Sequence, residues 1–238
     1  MDKLKDLKIK IFADGANKKD MLEMYSKEFI KGLTTNPSLM KKEGIKDYKN
    51  FCVDILKSIK DKPISFEVFS DDFTEMERQA LEIASWGENV YVKIPITNTK
   101  KETCYKTIEK LSKHKVKLNI TAIMTLQQVE EVASVLVPSV PSYVSIFAGR
   151  IADTAVDPLP LMTKTVSILK PLPECELIWA SPRELLNIFQ ADSIGCHIIT
   201  VTNDILKKLP LINRDLNEFS LDTVKMFYND AIDAGYKL

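Results

Sequence analysis

The sequence predicts an α/β protein: a single (β/α)8 (TIM) barrel with an extra C-terminal helix, spanning residues 1–238 as one domain. Three observations carry that prediction. Short segments alternating apolar and polar residues recur along the chain, and segments with helical spacing separate them. Regular strand–helix alternation gives a parallel sheet. Eight such units within 238 residues fit one closed barrel. A doubly wound open sheet is the runner-up, but no Gly-x-Gly-x-x-Gly or P-loop follows any strand. No linker rich in Gly, Ser or Pro divides the chain.

The first strand is predicted at residues 8–14 (K-I-K-I-F-A-D), followed by a helix at 20–27. The second strand, 29–36, stops at Asn36-Pro37. A helix at 48–59 precedes a third strand at 64–69. The helix at 73–86 is closed by Gly87, a residue type common past helix ends. The fourth strand is 90–97, with a helix at 102–113 after it. Strand 116–121 and helix 126–136 form the fifth unit. The sixth strand, 143–147, leads to a helix at 158–170, where Asp157 can cap and Pro158 can hold the first position. The seventh strand is 177–180, and Pro182 opens the next helix. The eighth is 197–201, with Asn203 capping a short helix. A last helix covers 221–234, with Gly235 after it.

The composition narrows the function. The chain is 45% hydrophobic and 28% charged, as suits a globular core. Formal net charge is zero, so neither nucleic acid nor an anionic membrane is an expected partner. No apolar run is long enough to span a bilayer. The N-terminus has no apolar signal core, so the expectation is a cytoplasmic protein. Cys52, Cys104, Cys175 and Cys196 form no C-x-x-C pair and are expected as free thiols. His114 reads as a solvated helix end and His197 as a satisfied core residue. With only these two histidines, a Ser-His-Asp triad or a His-based metal site has little material, and lysine and carboxylates are left to carry proton chemistry.

The period-two rule sorts each strand into faces. Ile9, Ile11 and Ala13 oppose Asp14. Ile64, Phe66 and Val68 oppose Glu67. Val90, Val92 and Ile94 oppose Lys93. Val116, Leu118 and Ile120 oppose Asn119 and Thr121. Val144, Ile146 and Ala148 oppose Ser145 and Phe147. The apolar sets suit a covering helix layer, so the opposing residues point into the barrel. They fall late in their strands, at the mouth where barrel enzymes place their sites. Burying several unpaired polar groups costs about 1–3 kcal/mol each, which argues against a purely structural role. Lys93 stands out, because lysine is seldom buried without a partner. Desolvation disfavours its charged form, and a neutral amine can attack a carbonyl. Arg150, Ser181 and Arg183 follow neighbouring strands and make a candidate anion site.

Six segments carry a resemblance: I-F-A-D-G-A (11–16), G-L-T-T-N-P-S-L (32–39), V-Y-V-K-I-P-I-T (90–97), N-I-T (119–121), S-I-F-A-G-R (145–150) and A-S-P-R (180–183). In order and in strand position the chain resembles the transaldolase family, with a length similar to the short type that includes fructose-6-phosphate aldolase. The resemblance implies Schiff-base catalysis with no metal and no cofactor. Lys93 matches the Schiff-base lysine, and Asp14 the aspartate that takes the carbon-4 hydroxyl proton. Glu67 matches the glutamate that shuttles protons through a water, which Thr121 would hold. Asn36, Asn119 and Ser145 would bind the dihydroxyacetone unit, and Arg150, Ser181 and Arg183 the phosphate of a sugar-phosphate substrate. Glu67 and Phe147 stand where the aldolase type carries Gln and Tyr, as in transaldolases. Gly15, Ile146, Pro182 and Glu184 depart from the family pattern. The resemblance also implies a homo-oligomer, with the C-terminal helix, Phe227 and Tyr236 near a neighbouring barrel. Three readings stand: a transaldolase, a fructose-6-phosphate aldolase, and a silent sugar-phosphate-binding barrel.

Overall fold

Eight parallel strands close on themselves in sequence order in the computed structural model, which describes residue 4 and residues 6–238. They are β1 (Lys10–Asp14), β2 (Ile30–Thr34), β3 (Ile64–Glu67), β4 (Val90–Pro95), β5 (Leu118–Ile123), β6 (Ser142–Ile146), β7 (Cys175–Trp179) and β8 (Ile198–Thr202). Pairing of β1 with β8 seals the barrel, as the sequence predicts. The intervening helices are α1 (Lys18–Tyr25), α2 (Pro37–Lys42), α3 (Tyr48–Leu56), α4 (Phe73–Ala84), α5 (Tyr105–Lys113), α6 (Leu126–Val135), α7 (Ala148–Ala152), α8 (Leu159–Leu169), α9 (Leu186–Ser193) and α10 (Asn203–Leu206). The extra helix α11 covers Leu216–Asp233.

Side-chain caps fix most helix starts. Asn17, Asp47 and Asp72 each accept a hydrogen bond from a backbone N–H in the first turn, and Thr125 with Gln128 forms a capping box. Asp157 accepts from Leu159 N at 3.0 Å as expected, although the helix itself starts one residue past Pro158.

Other boundaries differ from expectation. Pro182 does not open a helix: Ser181 takes a left-handed φ of 57° and the chain stays a loop until Leu186. Asn203 is the first residue of α10 rather than its cap. The last helix starts at Leu216, before residue 221, because Asp215 caps it. α4 ends at Ala84, short of Gly87. The short helices α2 and α7 have too few turns to show an apolar period.

The faces fall as the alternation predicts. Ile11, Phe66, Val92, Ile94, Leu118, Ile120 and Val144 point outward into a layer shared with the helices. A second, smaller cluster fills the barrel's interior: Phe12, Tyr143, Ile178, Ala180 and Ile198, with Tyr91 and Phe147 against it. Tyr91 stacks on Tyr143 at 4.0 Å between centroids, and Phe12 meets Tyr143 edge-on at 5.8 Å. Gly32 makes this plug possible, since a Cβ there would sit 2.5 Å from the Phe12 ring. His197 is satisfied, its Nδ1 accepting from Leu177 N at 3.0 Å, and His114 ends α5. All four cysteines are buried and unpaired. No helix among the described residues is long and apolar enough to cross a membrane.

Candidate active site

A cavity of about 390 Å³ opens above the aromatic plug, at the C-terminal ends of the strands. Every site residue expected from the sequence lines it except Arg183. Lys93 sits on β4 and is 7% exposed. Its ammonium has the partners that such burial demands. Nζ lies 3.3 Å from Glu67 Oε2 and donates to the Thr35 carbonyl oxygen at 3.0 Å. Glu67 stands level with Lys93 in the β3–β4 register. Its backbone is clamped by Tyr48, whose hydroxyl donates to Glu67 O at 2.7 Å and accepts from Glu67 N at 2.8 Å. Phe69 and Trp86 hold the Tyr48 ring at 5.3 and 6.4 Å.

Asp14 ends β1 and belongs to a relay. Thr34 donates to its Oδ1 at 2.8 Å, and Thr200 is hydrogen-bonded to the Thr34 hydroxyl. Thr34 has one proton, given to Asp14, so Thr200 donates to Thr34. Burial pushes the Asp14 carboxyl above the usual carboxylate range; Lys93 and the Thr34 hydroxyl pull it partly back, and Glu67 adds a smaller upward push. A carboxyl raised in this way suits proton exchange with a bound hydroxyl group.

Opposite these groups lies a fixed amide. Asn119 Nδ2 donates to Ser65 Oγ at 3.0 Å, and Ser145 donates to Asn119 Oδ1 at 2.6 Å. All three are buried, so the amide's orientation is set before any ligand arrives. Thr121 is 1% exposed and its hydroxyl has no hydrogen-bond partner. It sits at an irregularity: the β5–β6 register shifts between Ile120 and Ile123, and Ala122 takes a φ of 62°. Bulges of this kind re-aim side chains beside active sites. Asn36 caps α2 through its Oδ1, which accepts from Leu39 N at 3.0 Å, with Pro37 at the first helical position.

The two arginines part company. Arg150 lines the central cavity and packs over the Phe147 ring at 5.7 Å. Arg183 lines a separate cavity of about 180 Å³ and is tied to Asp153, its Nε donating to Oδ1 at 2.8 Å while Nη2 bonds the other oxygen. The two loops still touch. A Cβ at Gly149 would meet the Ser181 carbonyl oxygen at 1.6 Å, so only glycine admits this approach.

Sequence reasoning missed Thr34, Thr200, Ser65, Thr35 and Tyr48. The first two lie at inward positions, two residues past Gly32 and Ile198, and the period-two rule applied to the second and eighth strands finds them. Tyr48 reaches the site from α3 with no local signal to mark it, and Thr35, between Thr34 and Asn36, contributes a backbone carbonyl oxygen that its residue type does not signal.

The chain has relatives among known proteins. Residues 11–237 match the family described as Transaldolase/Fructose-6-phosphate aldolase. A probable transaldolase of a Thermoanaerobacter species is 36% identical over 218 residues, covering 90% of this chain and 96% of the relative. Probable transaldolases of Dehalococcoides mccartyi and Methanococcus maripaludis are each 35% identical, again over 90% of this chain and 97% of theirs. Among solved structures, a mutant flavocytochrome b2 with benzoylformate superposes with a TM-score of 0.54 at 13% identity. That match covers 82% of this chain but spans only 56% of the larger protein, and shows the barrel alone. With 36% identity across nearly the whole of a relative, and a family match from β1 to beyond α11, this chain belongs to the transaldolase/fructose-6-phosphate aldolase family.

Proposed function

We propose that the protein is a metal-independent transaldolase that works through a Schiff base on Lys93. The observation that carries this reading is a buried lysine, ion-paired to Glu67 at the polar end of a barrel. Glu67 takes a proton from the Lys93 ammonium, and the free amine attacks the ketone carbon of a ketose phosphate, sedoheptulose 7-phosphate or fructose 6-phosphate. Loss of water gives an iminium. Asp14 then takes the carbon-4 hydroxyl proton, the carbon 3–carbon 4 bond breaks, and its electron pair moves into the iminium to give an enamine. The aldose phosphate leaves. An acceptor aldose phosphate is attacked in turn, Asp14 returns the proton to the new hydroxyl, and water releases the product from Lys93. The partnerless Thr121 hydroxyl suits the water that Glu67 must share. Asn119, pre-set by Ser65 and Ser145, and Asn36 suit the hydroxyls of the three-carbon unit. Arg150 and Ser181 suit the phosphate at the far end of the sugar, on the part that leaves as the aldose phosphate, with Arg183 able to join if it leaves Asp153.

The second reading is fructose-6-phosphate aldolase, which releases free dihydroxyacetone. Phe147 favours transfer, because it has no hydroxyl with which to protonate the enamine or orient water. The test is fructose 6-phosphate with and without erythrose 4-phosphate, following glyceraldehyde 3-phosphate. Transfer is expected to be much faster than acceptor-free release. Equal rates would replace transaldolase by aldolase.

Self-association belongs to the same proposal. No residue of α11 is buried, and Leu216, Val224, Phe227, Tyr228 and Ile232 are exposed, as is Tyr236 beyond it. A second copy covering this helix would bury them. Four reduced cysteines suit a cytosolic setting. A monomer in light scattering at micromolar concentration would contradict the oligomer.

A further inference from the structure

A second cavity, of about 240 Å³, lies beside the first on the side of β8, β1 and α2. The two share Asp14 and Leu39 in their walls. Asp14 therefore stands at the junction, and in the reading above it holds the carbon-4 hydroxyl. The sugar chain beyond that carbon has two ways to run: toward Arg150 and Ser181, or into the second cavity.

Gly15 lines the second cavity next to Asp14. Nothing in the backbone demands glycine there. Its N–H makes an ordinary strand-type bond to Thr34 O at 3.0 Å, and its φ is not left-handed. A Cβ would meet no atom within 4 Å. The contrast with Gly32 and Gly149, where close approach excludes any side chain, is plain. What Gly15 supplies is space.

The walls state what that space suits. Asp20, Glu43 and Asp204 face Lys42 alone, so the cavity carries a net negative charge that opposes a phosphate. Carboxylates and the Asn203 amide accept and donate hydrogen bonds to hydroxyl groups, while the Asn17 amide is committed to Glu43 and to the Asp20 N–H. The Thr202 hydroxyl bonds the Asp204 carboxyl and holds it below the usual carboxylate range, which favours its charged form.

We infer that the cavity opened by Gly15 receives the uncharged polyhydroxy tail of an unphosphorylated sugar, making Gly15 a specificity-determining residue. The inference rests on the Schiff-base reading of the site. It adds a second class of acceptor to the phosphorylated one.

The test compares D-erythrose, which has a tail, with glycolaldehyde, which has almost none, as acceptors from fructose 6-phosphate. Gly15→Ala and Gly15→Thr add bulk to the cavity wall in two steps, the first of which meets no atom within 4 Å. The ratio of kcat/KM for erythrose to that for glycolaldehyde should fall with each step, reaching about tenfold or more in Gly15→Thr, a usual effect of misfit by a group this size. Borohydride trapping of dihydroxyacetone on Lys93 in the wild type is run alongside. An adduct with an unchanged ratio in both variants overturns the inference alone. No adduct at all overturns the reading of the site and this inference with it.

Discussion

Two layers of the barrel's interior differ by a single step of two residues along each strand, about 6.6 Å. The lower layer holds Phe12, Tyr91, Tyr143, Ile178 and Ile198. The upper layer, on the same strands β1, β4, β6 and β8, holds Asp14, Lys93, Ser145 and Thr200. The lower layer fills its space with stacked and edge-on rings. The upper layer leaves a cavity and concentrates charge around it. One layer contributes stability by apolar burial; the other keeps groups in states that only a substrate completes. A fold optimised for stability alone would not place Asp14, Glu67 and Lys93 together.

Substitutions should separate the layers, and the largest expected effect is in the upper one. Lys93→Met should reduce turnover to background while the barrel stays folded, measured by the coupled assay and circular dichroism. Retained turnover would break the contrast. Next comes the plug. Phe12→Ala should cost about 3–5 kcal/mol, because a cavity opens above Gly32 where nothing can collapse. Denaturant unfolding measures it, and a loss below about 1 kcal/mol would show that the plug does not carry the stability assigned to it.

Glu67→Ala should slow imine formation about a hundredfold, typical of lost acid–base catalysis, with a smaller effect on the carbon–carbon step. Single-turnover trapping separates the two. Equal imine-formation rates would remove Glu67 from its role.

The smallest effect is on stability. Burial raises the Asp14 carboxyl in the folded state above its unfolded value. The group's contribution is then fully present below the unfolded value and is lost as pH rises through the folded one. Asp14→Asn, which can still accept from Thr34, should raise the melting temperature at pH 7, and the gain should shrink as pH falls and be gone below the ordinary carboxylate range, about 4. A gain that grew in acid would contradict the sign.

Much of this was legible in the sequence because the barrel is a local code. Alternation fixes which residues face inward, and Asp14, Glu67, Lys93, Asn119, Thr121 and Ser145 all follow from it. What stayed hidden depends on distance along the chain. The Thr35 carbonyl that receives Lys93 is 58 residues away, and Asp153, which holds Arg183, is 30 away. Alternation predicts that a lysine is inside but not what meets it there. The loop after β7 shows the same limit. Pro182 reads as a helix start, yet the close approach of Ser181 to Gly149 holds the segment in a loop.

The central claim is that the upper layer makes a covalent bond through one lysine. Borohydride reduction of the wild-type protein with fructose 6-phosphate, followed by peptide mass spectrometry, tests it most directly. The predicted result is a single reduced three-carbon adduct on the peptide containing Lys93. An adduct on any other lysine, or none while turnover proceeds, would contradict it.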